Sequence, residues 1–350
     1  MTTLHRVSEA TKKIGIGFGI GVLCIIFLIV TFRLFVSVKE SLFPTPAAPP
    51  TVSFGKLPKI IFPLPTTTMP SFTVNTVSGS LPVFDDRITV YKLAQAQTNF
   101  SSIEKAKSLA ATNNFQGDPT PISDTVYQWT KMDPNKQTLS LNIQTFDLSF
   151  STDYLHDPQV LSATNLGTPS DAIAKLTTFL NGFEGTLPTD IDATRTQTTL
   201  FSIQNNTLIP ALSLSDAQII RVDYYQSDID NIPIYYPHFP QSLMTGFIAS
   251  GQSDQTVVAA TFIHKSVDSQ TSATYPILTA QEALDKLKKG EGFLANYDNP
   301  TKPAIIRTIS LGYFLSDDPA QQYLMPIVVF QGDNNFYAFT PALRDEWVQK

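Results

Sequence analysis

The chain has 350 residues, 42% hydrophobic and 15% charged, enough length for a large core or two. Its net charge of −6 is uneven: five basic residues (Arg6, Lys12, Lys13, Arg33, Lys39) against Glu9 and Glu40 give residues 1–40 a charge of +3, leaving −9 for the rest. An acidic body repels phosphate backbones, which argues against nucleic acid as a partner, and the single cysteine, Cys24, leaves everything after it without disulfides, thiolate zinc sites or a thiol nucleophile.

Residues 1–13 form a short basic tail. No charged residue occurs from Ile14 to Phe32, and the apolar run resumes after Arg33 as far as Val38. About 20 residues at about 1.5 Å each cross a hydrocarbon core. Residues 14–38 are therefore predicted to be a transmembrane helix, in contact with lipid from Ile14 to Val38, because a helix satisfies its own backbone there. Lys12 and Lys13 place the tail in the cytoplasm and the C-terminal body outside. A small-residue cleavage site after the run is missing, and Val22-Leu23 precede Cys24 where lipid attachment needs small residues. The expectation is an uncleaved, single-pass anchor in the cell membrane. Gly15/Gly19 and Gly17/Gly21 give a small-xxx-small spacing that suits helix pairing, although glycine is also common in such helices.

Residues 39–82 change character. Nine prolines between Pro44 and Pro82, interspersed with Thr and Ser, keep the backbone extended and stiff. This stretch reads as a stalk, with one apolar part, residues 54–62, able to pack on the body.

From residue 83 onward the pattern is α+β. Ser101-Ser102-Ile103-Glu104 and Thr279-Ala280-Gln281-Glu282 are capping boxes, opening helices to about Asn113 and Lys289. Thr168-Pro169 opens a third helix, expected to end at Asn181-Gly182. Ala280, Ala283, Leu284 and Leu287 give the last helix one apolar face. Strand-like runs follow the first helix at 125–130, 138–143 and 146–151, and follow the last at 304–315, 323–330 and 336–340. Turns are expected at 132–135 and 331–335. A helix followed by an antiparallel meander at both ends predicts repeated helix-plus-sheet modules, a first at 83–160 and a second at 161–350.

Tyr275-Pro276-Ile277, Ala280-Gln281-Glu282-Ala283-Leu284, Ile309-Ser310-Leu311-Gly312-Tyr313 and Pro326-Ile327-Val328-Val329-Phe330 resemble the C-terminal part of YycH/YycI-type regulatory membrane proteins and, more loosely, PepSY-like modules. The resemblance covers about residues 220–342; the quoted residues are packing and turn positions. It implies a single-pass protein with an extracytoplasmic α+β body that contacts an envelope protein such as a sensor kinase. The long stalk departs from that pattern.

Chemistry-bearing motifs are sparse. Ser102-Ile103-Glu104-Lys105 matches Ser-x-x-Lys, but its Lys-Thr-Gly and Ser-Asp-Asn companions are missing, and the residues fit a helix start. Gly251-Gln252-Ser253-Asp254-Gln255 lacks the second glycine of a nucleophile elbow. His156, His238 and His264 have no metal-ligand spacing. Asp228-Ile229-Asp230-Asn231 falls short of a calcium loop, and Asp85-Asp86, His156-Asp157 and Asp317-Asp318 read as solvated loop charges. Asn99-Phe100-Ser101 and Asn205-Asn206-Thr207 match the glycosylation triplet, which arises often by chance. The remaining surface candidates are Tyr235, Tyr236 and Phe239 in Ile234-Tyr235-Tyr236-Pro237-His238-Phe239-Pro240, aromatics bounded by prolines that could form a partner-binding edge, or, by strand alternation, complete the core.

The sequence therefore assigns no catalytic, metal or cofactor residues. It predicts a non-catalytic, membrane-anchored interaction or regulatory protein of the bacterial envelope. The alternatives are an envelope hydrolase with a site assembled from distant residues, and a ligand-binding or peptidase-inhibitory module.

Overall fold

A computed structural model describes residues 25–33, 49–64, 68–95, 102–132, 136–163, 166–250 and 255–349. The chain divides into two units, Met1–Pro49 and Pro50–Lys350. In the first, residues 25–33 form helix α1 with exposed side chains. Among the described residues no helix is long and apolar enough to cross a membrane. The remainder of the expected 14–38 span, the tail and residues 39–48 of the stalk lie outside the described residues, as do Ser101 and residues 133–135 and 251–254.

In the second unit the helices begin where short polar side chains meet the first free amides. Helix α2 is Ser102–Thr112, and α3 is the single turn Pro158–Leu161, capped by Asp157. Helix α4, Pro169–Glu184, opens with a reciprocal box between Thr168 and Asp171. Helix α5, Ala280–Lys288, opens with one between Thr279 and Glu282. Helix α4 runs past the expected stop at Asn181-Gly182. Asn113 Nδ2 donates to Gly182 O at 3.0 Å, and a Cβ at Gly182 would come within 2.7 Å of Asn113 Oδ1. That glycine serves close helix approach, and Gly185, at φ 78°, takes the terminating role.

The strands are, in chain order, β1 (Phe72–Val74), β2 (Arg87–Leu93), β3 (Thr120–Pro121), β4 (Val126–Lys131), β5 (Gln137–Asn142), β6 (Leu148–Thr152), β7 (Gln197–Gln204), β8 (Thr207–Pro210), β9 (Ile219–Tyr224), β10 (Ile234–Tyr235), β11 (Met244–Ser250), β12 (Gln255–Phe262), β13 (Val267–Pro276), β14 (Phe293–Asn296), β15 (Ala304–Phe314), β16 (Tyr323–Gly332) and β17 (Phe336–Pro341). They build two sheets. One has nine strands in the order β3-β4-β5-β6-β12-β11-β9-β7-β8; the other has eight, with β1-β15-β16-β17-β14 as its spine, β10 on β15, and β2 joining β13 and β16. Both outer strands of the nine-stranded sheet are short and end in proline, Pro121 and Pro210, which removes donors from those edges.

Helix α4 packs on β9, β11 and β12, α2 leans on α4, and α5 packs on β17. The expected apolar face of α5 is the buried one: Ala280, Ala283, Leu284 and Leu287. One apolar cluster, from Leu57 to Leu343, spans both sheets. A smaller one around Val160, Ile219, Ala249 and Val258 lies apart from it.

Two expected boundaries are redrawn. Pairing crosses 160/161, because β6 lies antiparallel to β12 from Leu148↔Phe262 to Ser151↔Ala259. The stalk is also shorter than the proline content suggested. Residues 50–82 belong to the body's unit, Leu57 and Ile60 are buried, and β1 runs parallel to β15. Apolar side chains between the prolines found the sheet surface, as the composition of 54–62 anticipated.

Candidate functional site

Residues 50–62 form a strap against the eight-stranded sheet. Val52 N–H donates to Thr274 O at 3.1 Å, Leu57 N–H to Trp347 O at 2.8 Å, and Gln349 N–H to Leu57 O at 2.8 Å. Phe54 N–H donates to Tyr275 Oη at 3.1 Å, and the Tyr275 hydroxyl donates to Gly55 O at 2.9 Å. Leu57 is fully buried. Phe54 meets the Tyr323 ring at 5.2 Å, and Phe62 meets Phe293 at 5.2 Å and Phe314 at 5.0 Å. A cavity of about 200 Å³ lies on the side of Pro58, Phe314 and Gln321, and one of about 450 Å³ on the side of Lys286, Leu343 and Val348. Lys59 and Ile60 line both.

Aromatic contacts continue from the strap into the interior. Phe293 and Phe314 reach Phe339, Phe339 reaches Tyr235 at 5.5 Å, and Tyr235 reaches Phe239 at 4.9 Å. Phe239 then touches Tyr225 and Tyr337. Tyr235, Tyr236 and Phe239 are thus buried, at 8%, 0% and 8% exposure. They complete the core between the sheets and do not form the exposed aromatic edge that the flanking prolines suggested. Burial pushes the Tyr235 and Tyr236 hydroxyls up to about 12.

A polar seam lies where the chain crosses from β12 to β13. His264 Nε2 meets Asp190 Oδ1 at 2.8 Å. Gln226 Nε2 donates to Asp190 Oδ2 at 2.8 Å and to Lys265 O at 3.1 Å, while Gln226 N–H donates to Tyr236 Oη at 3.2 Å. Lys265 donates to the Asp318 carbonyl, so the seam reaches the β15–β16 loop of the other sheet. Burial raises the Asp147 carboxyl and lowers the Lys265 ammonium, each against the attraction of the other. Burial also opposes ionisation of Asp190 and is the largest single effect, but the hydrogen bonds from His264 and Gln226 and the attraction of His264 together outweigh it and leave that carboxyl below its ordinary value. Nearby, Arg195 pairs with Asp228 and stacks over Tyr225, and Tyr91 donates to Asp230.

A carboxylate-oriented imidazole is half of a hydrolytic relay. Among the described residues no hydroxyl or thiol is hydrogen-bonded to the His264 ring. The other histidines lie elsewhere: His156 pairs with Asp153 at 2.6 Å in solvent, and His238 is exposed. No group of three or more His, Cys, Asp or Glu side chains among the described residues is placed to hold a metal. Ser102 is buried in the first turn of α2, and the Lys105 ammonium lies 4.0 Å over the Phe146 ring. Asp85, Asp86 and Asp317 are exposed loop charges. Sequence reasoning missed the seam because its partners are remote: 74 positions separate His264 from Asp190, and neither sits in a local motif.

No family model and no curated protein matches the sequence. Among solved structures the chain is similar to YycH from Bacillus subtilis, at 13% identity and a TM-score of 0.32, covering 77% of this chain and 56% of that one. A likeness this slight assigns neither fold nor function.

Proposed function

We propose that this chain is a non-catalytic interaction or regulatory protein of the bacterial envelope, anchored through residues 14–38 with the body outside and in contact with a membrane-bound partner such as a sensor kinase. The observation that carries the reading is the strap. The chain that follows the apolar run is stitched into the body from Val52 onward by hydrogen bonds to β13 and to the C-terminal segment. On this reading about a dozen residues separate the apolar run from the first strap contacts, and a chain of that length reaches at most roughly 40 Å. An anchor this short concentrates the body beside membrane neighbours, where effective concentration stands in for affinity. The helix-then-meander order at both ends of the body supports reading it as repeated PepSY/YycI-like modules.

The test is site-specific photocrosslinking in intact cells from Ile61, a residue of the strap that is 73% exposed. A crosslink to a defined membrane protein is expected, and it disappears when residues 1–38 are exchanged for a cleaved secretory signal. Recovery of no partner from Ile61 or from other exposed body positions would overturn the reading.

A further inference from the structure

We propose that residues 54–62 are a displaceable intramolecular ligand, and that the groove they fill is the docking site for an extended, basic and apolar segment of a partner protein. The proposal deepens the reading above, on which its consequence for tether length rests; the groove itself is argued without the anchor.

The strap is held as a docked peptide is held. Leu57 and Val348 form an isolated parallel bridge, with Leu57 N–H donating to Trp347 O and Leu57 O accepting from Gln349 N–H, both at 2.8 Å. Gln349 Nε2 adds a bond to Lys56 O at 3.1 Å. No ladder extends this pairing on either side, so the strap is joined to the C-terminal segment at one bridge, while β16 is laddered to β15 and β17 along its length. An extended peptide that borrows main-chain groups and sinks alternate side chains into pockets is a recurrent mode of recognition. Such a segment opens locally without the sheets coming apart.

The fit leaves room. The two cavities flank Ile60, so a larger apolar side chain at that point would occupy more of the groove than isoleucine does. The indole N–H of Trp347, whose carbonyl holds the strap, has no acceptor among the described residues.

Charge identifies the occupant. The rim carries Asp318 on one side, Glu291 and Asp345 on the other, with Lys286 the groove's own cation, and Lys286 is already paired to Asp345 and near Glu291. The strap brings Lys59 to this acidic rim, where it lines both cavities. The segment that replaces it therefore places an aliphatic side chain where Leu57 sits, a bulky apolar one where Ile60 sits, and lysine or arginine beside them. Displacement that also breaks the bonds of Thr51 and Val52 to Thr274 returns residues 50–62 to the spacer and adds roughly 40 Å of reach, so docking at the groove and the distance of the body from its anchor become one equilibrium.

The experiment uses the full chain in detergent and a fluorescent synthetic peptide of residues 52–63, followed by anisotropy. Leu57→Asp empties the groove, so this variant is expected to bind the peptide at least tenfold more tightly than the unsubstituted protein, while a peptide carrying the same Leu57→Asp change does not bind. Absence of peptide binding to a variant that keeps its thermal transition overturns the proposal. If Leu57→Asp does not fold, hydrogen exchange on the unsubstituted protein decides. Amides of Val52, Leu57 and Gln349 exchanging at least a hundredfold faster than those of β16 support a displaceable strap, and equal protection contradicts it. A dimer that the peptide dissociates would show strap exchange between copies and overturn the assignment to a different protein. Binding in detergent is independent of membrane orientation, so its failure is distinct from failure of the envelope reading.

Discussion

Asp190 and His264 are hydrogen-bonded at 2.8 Å across the seam where the chain leaves one sheet for the other. The carboxyl is more than a third exposed and the imidazole is largely enclosed. Through Gln226 and Lys265 this pair connects the 188–192 loop, the crossover and the β15–β16 loop.

The pair sets one pH dependence. Burial acts to raise Asp190, and His264 with Gln226 lowers it further than burial raises it. A depressed carboxyl contributes stability that is complete above its unfolded value, about pH 4, and is lost as pH falls through its folded value. The contribution is at most about 1 kcal/mol because solvent screens the half-exposed partner. His264→Gln is expected to shift the acid-unfolding midpoint upward, read by far-UV circular dichroism. An unchanged midpoint would show that the pair is energetically silent.

The buried tyrosines set the opposite limit. Tyr235 and Tyr236 are pushed up to about 12 mainly by burial, and Tyr91 to about 12 by burial and its bond to Asp230. Tyr225 and Tyr313 are raised as well, chiefly by burial. A raised phenol contributes stability that is fully present below its unfolded value, about pH 10, and is lost as pH rises through the folded one. Absorbance titration should therefore ionise only part of the 12 tyrosines near pH 10, with the rest appearing together as the fold opens. A single transition near pH 10 for all of them would contradict the buried aromatic train.

Two glycines report on close packing. A Cβ at Gly332 would stand 2.2 Å from the Ile305 carbonyl oxygen, whereas one at Gly246 would meet Leu176 Cδ1 at 2.3 Å. A backbone oxygen paired into a sheet yields less than a leucine terminus. Gly332→Ala is expected to cost about 3 kcal/mol or more and Gly246→Ala about 1–3 kcal/mol. Leu176→Ala should restore part of the second loss and none of the first, as measured by urea denaturation.

Local signals in the sequence carried α2, α4, α5 and both terminal meanders, but not the single turn α3, whose cap Asp157 reads in sequence as a solvated loop charge. Thr168 and Thr279 announce α4 and α5 because a cap is a contact three residues long, and β4 to β6 and β15 to β17 follow from alternation between turn residues. The order of strands was not legible. β6 finds β12, and β2 finds β13 and β16, through pairings that no local period encodes. Between residues 197 and 262 lie five strands of the nine-stranded sheet, interrupted by β10 of the other sheet, with no α-helix to frame them. Tyr235, Tyr236 and Phe239 were legible as aromatic but not as buried, since what covers them, Tyr225, Tyr337 and Phe339, lies in other elements. Half of the strap was visible in its apolar residues; the C-terminal segment that receives it was not.

The envelope reading stands on the orientation of the body, and one labelling measurement addresses it. In a Cys24→Ser background, Leu212→Cys places a lone thiol at a fully exposed body position. A membrane-impermeant maleimide added to intact cells should label it at once, as it would any outward-facing thiol. Labelling that requires permeabilised cells would put the body in the cytoplasm and contradict the envelope reading.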